Sequence, residues 1–401
     1  MPISREVHLI TRPHGMPQAS EFEIVETNVP DAADGQVLVQ NLYMSVDPAM
    51  RPRLTSGQAL NEAMMGGALG RVVQSKSPDF AVGDLVNNRL GFREYFVSDA
   101  KGLSKLTPAE GLPLTVHMHA LGMTGFTAYG GLLFIGAMKE GEQVFVSTAA
   151  GAVGSIAAQI AKIRGGYVVG STGSDDKAAW LRDEIGLDAV INYKTQPIRQ
   201  ALEEATPKGL DVYFENVGGE HLEAALRRMN TLGRIAVCGM ISGYNEGQAP
   251  VRNLSNIIYS RVMLRGFVGT DFMHLQPDFQ RDMAAWLREG KIKYQETVMD
   301  GITSAPKALI GLLEGANSGK MLVRLADLAR LGRRRAQDPT GPEPRPSAGG
   351  LAPGAVLGAT GERHRGADGA GRPLDGGGDL AGHVHQGLHP VLGGRVSGEQ
   401  I

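Results

Sequence analysis

The sequence predicts an α/β protein in which a doubly wound parallel sheet is joined to a second, mostly β unit. Three observations carry that expectation. Residues up to about 125 alternate short strand-like runs with turns, and residues 126–300 alternate strands with helical segments. A glycine-bearing loop stands where the first strand of the second region runs into a helix. A chain of 401 residues is long enough for both units and their cores.

In the first region the runs "QVLVQNLYMSV", "GALGRVVQ" and "LVNNRLGFREYFV" are separated by turn punctuation such as "SPDFAVGD". Such spacing fits a barrel-like β unit. The second region reads in order as "EQVFVS", the helical "GAVGSIAAQIAKIRG", "YVVG", the helical "SDDKAAWLRDEIG", and "DAVIN". It goes on through "DVYFENV", the helical "EHLEAALRRMN", "RIAVCGM" and "VMLRGFVG". Short apolar strands alternating with helices call for a parallel sheet covered on both faces.

The loop between "EQVFVS" and its helix is "TAAGAVGS". A loop that passes from a strand into a helix gathers free backbone N–H groups and the positive end of the helix dipole, a site suited to a pyrophosphate. Gly151 and Gly154, with Ala152 and Val153 between them, let the backbone approach such a ligand. The spacing departs from G-x-G-x-x-G, so the motif taken alone also fits a plain turn between packed elements. The next strand ends in Gly170 and Ser171 rather than in the acid that accepts from a ribose 2′-hydroxyl in NAD sites. Lys177 follows within one helical turn, where an ammonium can reach a 2′-phosphate. The balance favours NADP over NAD. A solvated surface lysine is the other reading, and Asp175 and Asp176 beside it argue for that one.

Composition narrows the function. Forty basic against forty-two acidic residues leave no field for nucleic acid or a membrane surface. Cys238 is the single cysteine, so neither an internal disulfide nor a thiolate zinc cluster is available. No signal-peptide core and no run long enough to span a bilayer is found, and a cytoplasmic protein without metal is expected. Residues 331–401 are rich in glycine and lack Lys, Asn, Phe, Tyr, Trp and Met. That stretch is expected to be disordered or an alternate-frame translation, and its "HVHQGLH" is assigned no metal.

Further stretches carry a resemblance. "NLYMSVDPAMR", "GDLVNNRLGFREYFVSD", "ALGMTGFTAYGGL", "VSTAAGAVGSIAAQIAK", "DVYFENVGGE", "IAVCGMISGYN", "LRGFVGTD", "WLREGKIKY" and "ALIGLLEGANSGKMLVRL" occur in order between residue 5 and about 325. Together the chain resembles the medium-chain dehydrogenase/reductase superfamily. Within it, the likeness is to the zinc-free branch of prostaglandin reductases, alkenal double-bond reductases and curcumin-reductase-like enzymes. The resemblance implies a GroES-like domain over 1–125, a Rossmann NADP-binding domain over 126–300, and a return segment over 301–330 that completes the first. The cofactor would lie in the cleft between them, and the protein would be a homodimer.

By position, the resemblance assigns Gly151–Gly154 to the pyrophosphate, and Gly173, Lys177 and Tyr193 to the adenosine 2′-phosphate end. Asn216 and Thr124 fall at the nicotinamide end. Cys238, Gly239, Met240, Ile241 and Ser242, together with Phe267, Val268, Gly269 and Asn317, match further cofactor contacts. Tyr259 matches a tyrosine near the nicotinamide ribose and the substrate carbonyl. Tyr259 also lies in an apolar helical stretch, where an aromatic is commonly core. Tyr193 and Asn216 would serve equally as turn residues, Thr124 as a turn residue beside Gly125, and Cys238 as a small buried hydrophobe. One departure stands out: Ala49 occupies the place of a family tyrosine in D-P-A-M-R, which implies a wider substrate pocket.

The expected activity is NADPH-dependent reduction of the C=C bond of an α,β-unsaturated aldehyde or ketone, without zinc. A quinone reductase on the same scaffold and a non-catalytic NADPH-binding protein are the alternatives.

Overall fold

A computed structural model of the chain describes residues 1–327. The 331–401 stretch, its "HVHQGLH" and the last residues of the expected return segment lie outside the described residues.

In chain order the first region forms β1 (Ile3–Leu9), β2 (Phe22–Asn28), β3 (Val37–Ser45) and α1 (Met50–Ser56), then β4 (Ala68–Ser75), β5 (Leu85–Asn88), β6 (Tyr95–Ser98) and β7 (Ser104–Lys105). The second runs through α2 (Met123–Gly130), β8 (Gln143–Val146), α3 (Gly154–Ile163), β9 (Tyr167–Thr172), α4 (Asp175–Ala179), β10 (Ala189–Asn192) and α5 (Ile198–Ala205). It continues through β11 (Leu210–Glu215), α6 (Gly219–Arg228), β12 (Met229–Val237), α7 (Asn256–Tyr259), β13 (Met263–Gly266) and α8 (Gln276–Arg288). β14 (Glu296–Asp300), α9 (Ala305–Glu314) and β15 (Lys320–Arg324) follow.

β8 to β13 make one parallel sheet in the spatial order β10-β9-β8-β11-β12-β13. The strand order reverses at β8, so the crevice for a ligand opens at the carboxyl ends of β8 and β11. These strands read as continuous apolar runs because both faces are covered. Ile156, Ile160, Phe126, Phe279 and Met283 pack on one side. Leu202, Leu222, Leu226 and Ile198 pack on the other.

The second sheet is ordered β14-β15-β3-β4-β5-β7, with β6 also paired to β3. The chain therefore returns after the nucleotide-type sheet: β15 lies antiparallel to β3, with Leu322 opposite Ser45. β14 precedes the boundary drawn at 300, yet pairs along its whole length with β15 in this second sheet. The alternation of apolar residues in "ETVMD" is too short to say which sheet it joins. Lys320 fastens the return. Its buried ammonium donates to the Val46 carbonyl and to Asp47 Oδ1, each at 3.0 Å. Gln159 on α3 fastens it again, its side chain bonding both the N–H and the C=O of Lys293. Among the described residues no helix is long and apolar enough to cross a membrane.

Candidate active site

β8 ends on buried Ser147, and the loop turns at Thr148, whose φ of 53° is unusual for a β-branched residue. The Gly151 N–H returns to the Thr148 carbonyl at 2.9 Å. Gly154 opens α3 against that same carbonyl, which a Cβ at this position would overlap. The sequence needs glycine there for close approach. Behind the loop, two donors hold its carbonyls: the Gly319 N–H bonds Ala150 at 3.0 Å, and His119 Nε2 bonds Ala152 at 3.0 Å. A carbonyl only accepts, so His119 carries its proton on Nε2. Burial depresses the His119 pKa to about 3, and the ring stays neutral. The N–H groups of the loop and the first turn of α3 are thus presented from a fixed frame.

At the end of β9, Ser174 caps α4 by accepting from the Lys177 N–H, and the Lys177 ammonium donates to the Gly315 carbonyl at 2.7 Å. Asp175 is turned toward β10, where it accepts from Asn192 Nδ2 at 2.7 Å. The Tyr193 hydroxyl lies over Gly173, 2.9 Å from where a Cβ would stand, and its ring meets His221 edge-on at 5.0 Å. A phenol and a glycine thus meet at the end of β9, a cation follows in the first turn of α4, and Asp175 is held by Asn192. That donor set suits a dinucleotide carrying an extra phosphate on its adenosine ribose.

At the switch point, Asn216 Nδ2 donates to the Ser147 carbonyl at 2.7 Å and ties the ends of β11 and β8 together. Glu215, wholly buried beneath, accepts from the N–H groups of Val217 and Gly218. Burial raises its pKa. Cys238 sits beside it at the end of β12, and burial pushes the thiol up to about 12, so it is inert as a nucleophile. Gly239, Met240, Ile241 and Ser242 form the turn beyond, with Ser242 Oγ donating to the Val217 carbonyl at 2.6 Å.

Thr124 donates to the His119 carbonyl at 2.9 Å. Phe267 sends its ring into the core against Phe214, while Val268 beside it is exposed. Gly269 lies against Met123 and Thr127. Asn317 spends its amide on the Gly319 carbonyl in the loop that backs Gly151.

Tyr259 lies apart from these residues. It ends a four-residue helix, is 78 % exposed, and precedes β13 at the amino ends of the strands. Its neighbour Ser260 accepts from the Leu232 N–H near the start of β12. The carboxyl end of β12, where the site lies, is five residues on from Leu232, on the order of 15 Å at about 3.3 Å per residue. A different tyrosine, Tyr244, lies beyond the carboxyl end of β12, its hydroxyl 3.4 Å from a Cβ built on Gly239. Tyr244 is half-buried, and burial raises its pKa. The motif "ISGYN" held that residue in view, but a tyrosine in a glycine turn has no periodicity to mark it. His119 was missed too, because a histidine in "TVHMHALG" looks like a core residue until its partner is known.

The parallel sheet, with its reversal of strand order at a glycine loop, defines a dinucleotide-binding oxidoreductase fold. Residues 5–106 match the family described as N-terminal domain of oxidoreductase, and residues 152–289 the family described as zinc-binding dehydrogenase. Bovine (Bos taurus) prostaglandin reductase 1 is 43 % identical over 77 % of this chain and 95 % of its own length. The NADP(+)-dependent 2-alkenal reductase of Nicotiana tabacum is 40 % identical over 78 % of this chain and 94 % of its own. The structure of CurA from Vibrio vulnificus in complex with NADPH superposes with a TM-score of 0.77 at 36 % identity, covering 80 % of this chain and 99 % of that one.

The chain belongs to the medium-chain dehydrogenase/reductase superfamily, in the zinc-independent branch of prostaglandin, curcumin and alkenal reductases. Despite the second family's description, among the described residues no three His, Cys, Asp or Glu side chains converge to hold a metal.

Proposed function

We propose that the protein reduces the C=C bond of α,β-unsaturated aldehydes or ketones with NADPH. The observation that carries the cofactor half is Lys177, half-buried one turn into α4 just past the end of β9, with Asp175 turned away onto Asn192. When bound, NADPH supplies the hydride that adds to the β-carbon of the substrate.

The protein's own task is to hold and polarise. A carbonyl conjugated to the alkene takes up negative charge on its oxygen as the β-carbon is reduced, and a donor placed at that oxygen stabilises the enolate. Tyr244 Oη supplies such a donor in the cleft, its phenol kept protonated by burial. Ser147, Asn216 and Glu215 fix the floor beneath it. Ala49 stands exposed at the start of α1 and leaves room for a bulky substrate.

β13 is the outer strand of its sheet, with Met263 and Leu264 exposed. An uncovered apolar edge is a pairing surface, which supports a homodimer joined there. Size-exclusion chromatography of wild type and Leu264→Lys tests it.

The experiment for the activity is NADPH oxidation followed by absorbance with a 2-alkenal, a curcuminoid enone and a simple quinone, each repeated with NADH. Turnover of the alkenal or enone with NADPH and little with NADH bears the reading out. Turnover of the quinone alone, or tight NADPH binding with no turnover, overturns it.

A further inference from the structure

Arg51 is a buried guanidinium that meets no carboxylate directly. It is 3 % exposed. Its Nε and Nη2 donate to the Gly15 carbonyl at 3.2 and 2.7 Å, and Nη1 donates to Thr55 Oγ1 at 2.9 Å. All of these partners lie in the first region, on α1 and in the β1–β2 loop. The remaining bond leaves it: Nε also donates to Asn245 Oδ1 at 3.0 Å, 194 residues away in sequence. Asn245 is the residue after Tyr244, in the loop that leaves β12 on the nucleotide side of the cleft. Its amide nitrogen also points to Met16 Sδ at 3.6 Å.

A buried charge bound only to neutral acceptors is costly unless those bonds fix something of value. The rigid fork of a guanidinium suits fixing, since its donors are set in one plane. What it fixes here is the loop that carries the cleft phenol. The segment before Tyr244 is tied to the end of β11 by the Ile241 and Ser242 N–H groups on the Asn216 and Val217 carbonyls. Around Tyr244 itself the backbone makes short turns, Gly243 N–H to the Met240 carbonyl, Tyr244 N–H to the Ile241 carbonyl and Gly247 N–H to the Gly243 carbonyl. Beyond it, the next side-chain anchor among the described residues is Gln248 on Met240.

Resting on the functional reading above, we propose that Arg51 and Asn245 form a clamp across the cleft that positions Tyr244. Arg51 is a positioning residue: it acts through Asn245 and touches neither substrate nor cofactor. The clamp predicts that its loss slows the reductive step while leaving dinucleotide binding, which is built from the glycine loop and Lys177, nearly intact.

The test uses the full chain with NADPH and a 2-alkenal, comparing Asn245→Ala, Asn245→Asp, Arg51→Met and the Arg51→Met/Asn245→Ala double variant. Asn245→Ala is expected to lower kcat about 10-fold or more, with NADPH Kd within about 3-fold by fluorescence titration. Asn245→Asp, whose carboxylate still accepts from the guanidinium, is expected to recover most of the rate. The double variant should be no worse than the poorer single one, as two partners in one contact are non-additive. Hydrogen–deuterium exchange of residues 241–248, in the NADPH complex, should rise in Asn245→Ala and return toward wild type in Asn245→Asp.

Unchanged exchange in Asn245→Ala, an Asp variant as impaired as the Ala one, or additive effects in the double variant would overturn the clamp. If Arg51→Met does not fold, the two Asn245 variants decide alone. If wild type reduces no alkenal, the functional reading fails, and the exchange measurement still judges the clamp.

Discussion

The Lys177 ammonium donates to the Gly315 carbonyl across 2.7 Å, so the first turn of α4 is bonded to the residue that ends α9. Gly315 is a left-handed cap, and the carbonyls there carry the negative end of the α9 dipole. A phosphate dianion is a far better partner for the same ammonium than one neutral carbonyl. Lys177→Ala should therefore raise the NADPH KM by about 10- to 100-fold, the value of about 1.5–3 kcal/mol for a bond to a charged group. The NADH KM should change by less than about 2-fold. Steady-state kinetics with both cofactors checks it, and equal effects would remove the 2′-phosphate role.

Tyr244→Phe removes the cleft hydroxyl and keeps the ring. The enone kcat is expected to fall about 10- to 100-fold, in the range for one lost donor to a developing oxyanion, while NADPH Kd holds. Tyr259→Phe, at the other end of the sheet, should be indistinguishable from wild type. The pH profile has a defined sign. The donor must be protonated, and burial raises the Tyr244 pKa above 10, so the rate limb owed to this phenol falls only in the strongly alkaline range. A limb that vanishes in Tyr244→Phe identifies it.

His119 and His221 are buried neutral, with pKa values depressed to about 3 and about 4 from an ordinary 6.5. The unfolded chain binds these protons at higher pH than the folded one. Their stability is therefore fully present above about pH 6.5 and is lost as pH falls toward 4 and then 3. For His119 the loss is on the order of several kcal/mol at most. Urea titrations between pH 8 and 4 should show the decline. His119→Phe should be less stable at pH 8 by about 1–3 kcal/mol, since the Ala152 carbonyl loses its donor, and should show a shallower acid limb. If the variant falls as steeply as wild type, His119 is not the group responsible.

Gly151 and Gly154 should separate folding from binding. A Cβ on Gly154 overlaps the Thr148 carbonyl, which is backbone and cannot give way, so Gly154→Ala is expected to lower Tm markedly. A Cβ on Gly151 meets Thr148 Cγ2 at 3.0 Å and the Thr148 carbonyl oxygen at 3.2 Å, tight contacts but far looser than the overlap at Gly154. Gly151→Ala should fold and instead weaken NADPH binding, because the turn must shift to seat the new methyl against Thr148. Thermal melts with and without NADPH distinguish the two.

The parallel sheet was legible because a strand buried on both faces must be apolar through its middle, and the runs "VFV", "YVV" and "VYF" within "QVFV", "YVVGST" and "LDVYFE" are. The place of Lys177 just past the end of β9 was legible because it follows the strand by only a few residues. Tyr259 was not. Matching residues by position along a chain carries no information about which end of a strand they reach, and Ser260 bonded to Leu232 sets that end. Arg51, Asn245 and His119 escaped for a related reason, as each acts through a partner distant in sequence.

The bridge between Gly151 and Gly319 has a consequence for biosynthesis. Gly319 lies at φ 64° with Gln295 against it, and its N–H completes the Ala150 turn only once β15 has docked beside β3. As the polypeptide leaves the ribosome, the six parallel strands are available long before that docking. A nascent chain halted near residue 300 holds the whole parallel sheet and a phosphate loop backed by His119 alone. Closure of the Ala150 turn thus becomes one of the last events of folding, and it reports that the last strands of the second sheet have arrived.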